Sequence, residues 1–129
     1  MGDKLSRSID TTFINPDVAP DYTKQPTFDP LLGFPNGRKE RVMIATAEEM
    51  DLAKVPLHHR GYCAHLYIDW RRCMKNHPLR PSKCNAEQGT YLSCSHDDFI
   101  LRAKEYERER RLKMREKRKN ARQLQEAMA

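Results

Sequence analysis

The four cysteines are the residues whose type and spacing could do chemistry. Cys63 and Cys73 enclose nine residues, Cys84 and Cys94 enclose nine, and ten lie between the pairs. Thiols placed this way could bind a soft metal, attack as thiolates, or close into disulfides. Structural zinc sites use gaps of about two to four residues between paired cysteines. Nine-residue gaps spread the thiolates over successive helical turns rather than around one ion, which argues against zinc or copper. A catalytic thiol is typified by Cys-x-x-Cys, and the sequence has none. Disulfides are the reading that the spacing favours.

On a helix, residues ten apart lie ~15 Å apart along the axis and ~80° apart around it. Cys63 and Cys73 therefore share a face, and Leu66, Trp70 and Met74 fall on the same stripe. Cys84, Tyr91 and Cys94 do likewise on the following segment, with Glu87 and Gln88 beside them. Bridges within one helix would have to span ~15 Å, while a disulfide needs Cα atoms about 4.4–6.8 Å apart. Cys63–Cys84 with Cys73–Cys94 needs parallel helices. A short proline-rich turn favours antiparallel ones, so the expected pairs are Cys63–Cys94 and Cys73–Cys84. They close loops of 32 and 12 residues, for which chain entropy gives about 3.7 and about 3 kcal/mol, not additive for nested loops. Leu66, Trp70, Met74 and Tyr91 are the expected hairpin core, with Trp70 its main residue.

The elements that must position the cysteines are helical. Thr46-Ala47-Glu48-Glu49 fits a capping box, and Pro56 should kink or end the helix that follows. A second helix is expected from about Leu57 to Lys75. Asn76-His77-Pro78-Leu79-Arg80-Pro81 reads as a turn, and a third helix begins around Ser82 and runs past Glu116. The expected organisation is an extended strap over 1–45, a short helix over 46–56, a helical hairpin over 57–98, and a charged helix and tail over 99–129. The fold class is all-α: a disulfide-stapled antiparallel hairpin with an extended proline-rich arm and a long basic C-terminal helix.

Composition limits the alternatives. Of 129 residues, 38% are hydrophobic and 33% charged, too little apolar material for a large core throughout. No apolar run approaches the ~18 residues of a membrane span, and the first residues resemble neither a secretory signal nor an Arg-rich presequence. From Arg102 onward, eleven Lys and Arg face five Glu, while residues 1–101 hold thirteen of each sign. The net +6 thus belongs to one segment. That segment could meet nucleic acid, anionic lipid or acidic protein. Its interleaved glutamates would repel phosphate, which argues against nucleic acid. Glu107–Arg111 and Glu109–Lys113 are spaced as helix-supporting pairs.

The arm holds five of the eight prolines, which disfavour a long helix or central strand. Phe13, Tyr22, Phe28 and Phe34 recur among them, more aromatic than a plain disordered tail, and are expected to dock on a partner. Met1-Gly2-Asp3-Lys4-Leu5-Ser6 matches the myristoylation pattern, making Gly2 the candidate lipidation site, with Asp3 opposing it. His58, His59, His65, His77 and His96 form no H-E-x-x-H motif, there is no Gly-rich phosphate loop, and no nucleophile–base set stands out. No enzyme, metal, cofactor or small-molecule substrate is expected.

The twin Cys-x9-Cys spacing resembles the CHCH (coiled-coil-helix-coiled-coil-helix) family. Pro26-Thr27-Phe28, Gly33-Phe34-Pro35, Arg38-Lys39-Glu40-Arg41, Tyr62-Cys63-Ala64-His65 and Glu105-Tyr106-Glu107-Arg108-Glu109-Arg110-Arg111-Leu112 resemble the family of beta-subcomplex subunit 7 of mitochondrial NADH:ubiquinone oxidoreductase (complex I). That resemblance covers about Pro26 to Arg118. It implies a non-catalytic accessory subunit of the membrane arm, on the intermembrane-space face, supporting assembly and stability. It also implies peripheral contact with the inner membrane, other complex I subunits as partners, no cofactor, import without a cleaved presequence, oxidative trapping, and a myristoyl group on Gly2. A CHCH metal chaperone or assembly factor, which would need cysteines outside the twin pairs, and a basic nucleic-acid-binding adaptor are the alternative readings.

Overall fold

Thr46 starts a short helix, α1 (Ala47–Leu52), through a closed capping box. Its hydroxyl accepts from the Glu49 N–H at 3.2 Å, and the Glu49 carboxylate accepts from the Thr46 N–H at 3.0 Å. The computed structural model describes residues 6, 8–21, 23–29, 31–34, 36–37 and 41–129, so Gly2 and Tyr22 lie outside the described residues. α1 ends before Pro56 is reached. Lys54 takes a left-handed conformation with φ 50°, its N–H donates to the Asp51 carbonyl, and the Val55 N–H donates to the Met50 carbonyl at 2.9 Å. This is a Schellman closure with lysine where glycine is usual, and its two apolar ends, Met50 and Val55, are both buried.

The second helix begins later than the expected Leu57. Leu57–His59 is a single 3₁₀ turn. Arg60 then leaves helical geometry at ψ 52°, its guanidinium tied back to the Val55 carbonyl and the Asp51 carboxylate, and Gly61 follows. Only then does α2 (Ala64–Asn76) start, with Cys63 at its N-cap. It stops at His77, because the residue before a proline is pushed out of the helical region. A 3₁₀ turn, Pro81–Cys84, leads into α3 (Asn85–Met128). No helix among the described residues is long and apolar enough to cross a membrane.

The chain forms two compact units, Lys39–Arg102 and Met1–Arg38 with Ala103–Ala129. In the first, α2 and the start of α3 form the hairpin. Its core holds Ala45, Met50, Val55, Cys63, Ala64, Tyr67 and Tyr91. Tyr91 is buried as expected, and Leu66 and Trp70 are half-buried against the cluster. Trp70 is therefore not the centre: Tyr67 and Tyr91, each 8% exposed, take that place. Met74 is half-buried and lies outside the cluster, since α1 and its closing turn supply Met50 and Val55 instead. Arg41 pairs with Asp98 and lies over the Tyr62 ring at 5.0 Å.

In the second unit the arm is folded onto α3 rather than extended and free. It makes a π-helical turn (Asp10–Ile14) and a 3₁₀ turn (Pro16–Val18), and Val18 is 1% exposed. The Thr27 N–H donates to the Glu109 carboxylate at 2.9 Å, and Lys117 donates to Asn15 and Asp17 at 2.9 and 3.0 Å. Glu109 thus turns to the arm and is buried, not left on the helix surface with Lys113. Arg108 donates to the Leu32 carbonyl and covers the Phe34 ring. Phe28 and Phe34 are half-buried within the chain, while Phe13 is 79% exposed.

Candidate functional site

The cysteines meet because α2 and α3 run antiparallel about the turn at 77–80. Cys63 and Cys94 are bonded with Cα atoms 6.0 Å apart, and Cys73 and Cys84 with Cα atoms 5.8 Å apart. Both spacings fall in the ordinary range for a disulfide. No cysteine is free. Cys73, Cys84 and Glu87 bring possible ligand atoms within 4.8 Å of one another, but both sulfurs are committed to the bond between them.

Between the two rungs lies an aromatic cluster. The His59 ring stacks on Tyr67 at 4.3 Å, Tyr67 meets Tyr91 at 5.4 Å and Trp70 at 5.9 Å, and Trp70 stacks on Tyr91 at 5.9 Å. His59 Nδ1 and the Tyr91 hydroxyl share a hydrogen bond of 2.6 Å. Burial, with His58 alongside, lowers the His59 pKa from its ordinary 6.5. Such rings supply apolar area and directional contacts together. Elsewhere, Glu107 is held down to about 2 by hydrogen bonds from Arg110 and then Arg111, at 3.0 and 2.9 Å. That knits α3 to itself at a half-buried position.

The arrangement locks and rigidifies a hairpin. Spacing alone points to the cysteines and Tyr91. It passes over Tyr67, four residues after Cys63 and three before Trp70, though that offset is as diagnostic of the shared face as the others. His59, Met50 and Val55 carry no comparable signal, because a turn brings them in.

Comparison with known proteins narrows the reading. The family described as NADH-ubiquinone oxidoreductase B18 subunit (NDUFB7) matches residues 44–106. NADH dehydrogenase [ubiquinone] 1 beta subcomplex subunit 7 of Caenorhabditis elegans is 45% identical over 94% of this chain and 98% of its own length. The chain belongs to the B18 subunit family. Members named likewise from Mus musculus and Bos taurus are 47% and 43% identical, over 79% and 82% of this chain and 74% and 77% of their own lengths. The B18 match spans both disulfides and the aromatic cluster. The basic stretch after residue 106 lies beyond it, although the nematode relative extends across most of that stretch too.

Proposed function

We propose that this B18-family chain is a non-catalytic accessory subunit of mitochondrial complex I. It sits peripherally on the intermembrane-space side of the inner membrane, in the membrane arm, and supports assembly and stability. The observation that carries this is the doubly disulfide-locked hairpin in a chain whose relatives are named as subunits of that enzyme. Disulfides persist in oxidising compartments and are rare where thiols are kept reduced, which favours the intermembrane-space side. The exposed Phe13 ring remains a docking element, and acylation of Gly2 would add only a marginal, reversible anchor of about 10⁴ M⁻¹.

Blue-native electrophoresis of mitochondria, probed for this chain, tests membership: the chain should comigrate with complex I. Protease treatment of mitoplasts tests the face, and the chain should be digested once the outer membrane is opened. Migration apart from complex I, or protection until the inner membrane is breached, would overturn the reading. Intact-mass spectrometry of the native chain shows whether the acyl group is present.

A further inference from the structure

α2 has two working faces. Cys63, Tyr67 and Trp70 look into the hairpin. On the opposite face His65, Ile68, Arg72 and Lys75 recur at helical spacing and border a groove that α1 completes with Leu52, Ala53 and the preceding Ile44. The floor is apolar and open to water: Ile44 is 61% exposed and Leu52 85%. Exposed apolar surface gathered in one place and rimmed by polar residues marks an interaction site. A further observation says what fits. Arg71 and Lys75, on the groove wall, have no ion-pair partner among the described residues, whereas Arg72 is paired with Asp69 at 3.1 Å.

The geometry points to a docking groove for an apolar helix of another subunit, carrying a carboxylate that meets Arg71 and Lys75. A helix suits walls made of helix ridges. No strand edge among the described residues offers the alternative of main-chain pairing. All the groove residues lie within the span that the family match covers, 44–106. The inference rests on membership of complex I and names the surface through which that membership is achieved.

The test uses full-length variants re-expressed in mitochondria lacking the endogenous chain. Leu52 is exposed, so Leu52→Glu should leave both disulfides formed and the far-ultraviolet circular dichroism unchanged, yet lower incorporation into complex I at least tenfold. Arg71→Glu with Lys75→Glu should do the same, and Lys119→Glu, outside the groove, should not. A benzophenone side chain at position 52 should crosslink to a helical, apolar peptide of another subunit with Asp or Glu within one turn of the linked residue. Wild-type incorporation of Leu52→Glu, or crosslinking to lipid or to a second copy of this chain, would overturn the groove while leaving membership intact. Absence of the wild-type chain from complex I would overturn membership and the groove together.

Discussion

Tyr67→Ala tests whether the space between the rungs is held by one ring or by several. Truncating a fully buried aromatic side chain costs about 3–5 kcal/mol. Tyr67 is 8% exposed and its ring meets three others, His59, Tyr91 and Trp70. Trp70 is only half-buried, so part of its surface is already hydrated in the folded state, and its truncation should cost less, about 2–3 kcal/mol. The outer disulfide contributes about 3.7 kcal/mol by loop closure, so Tyr67 carries roughly the weight of a rung. Both variants keep the rungs, and each is therefore measured against the same constrained unfolded chain. Native-state hydrogen exchange of the α2 amides in the oxidised protein reports the opening free energy in this unit alone. The opening free energy should drop further for Tyr67→Ala than for Trp70→Ala. The reverse order, or a loss at Tyr67 under about 1 kcal/mol, would show that Trp70, and not Tyr67, holds the cluster.

Three further outcomes are expected. Lys54→Gly should raise stability by roughly 0.5–1 kcal/mol, since it relieves a left-handed lysine without removing a contact; calorimetry of the oxidised chain decides. His59 titrates below 6.5 in the folded state, so the unfolded chain takes up the proton first and stability present above about pH 6.5 declines as pH falls below it. The melting temperature should follow that slope, and His59→Gln should flatten it; an unchanged slope would assign the effect to other groups. Glu109→Ala removes the acceptor of the Thr27 N–H, and exchange of that amide should speed up about tenfold, the equivalent of one hydrogen bond; unaltered protection would mean the arm is held without it.

The features legible in the sequence are those set by local rules. The capping box at Thr46 needs only two side chains three apart. The hairpin pairing follows from helix pitch and the reach of a disulfide. What escaped was decided elsewhere in the chain. The end of α1 is signalled by no glycine, because Lys54 bears the strain of the left-handed position. The late start of α2 depends on Arg60 reaching back to Val55 and Asp51, a contact no propensity encodes. Glu109 looks like the partner of Lys113, yet it faces the arm, where an otherwise unpaired backbone N–H at Thr27 outweighs a solvated ion pair. Phe34 looks free because Arg108, which covers its ring, is about seventy residues away in sequence.

Two crosslinks do something that one cannot. A hairpin joined at a single point can splay its legs or swivel one about the other, and a thin core resists this weakly. With the second bond ten residues along, both motions are blocked, and α2 cannot rotate about its own axis without breaking a covalent bond. The backbone positions on its outward face are then presented in one arrangement whether or not anything binds there. Association usually gives up part of its free energy to ordering the surfaces that meet. For this chain the backbone of α2 was ordered at oxidation, so a partner's contacts have only side chains left to order there.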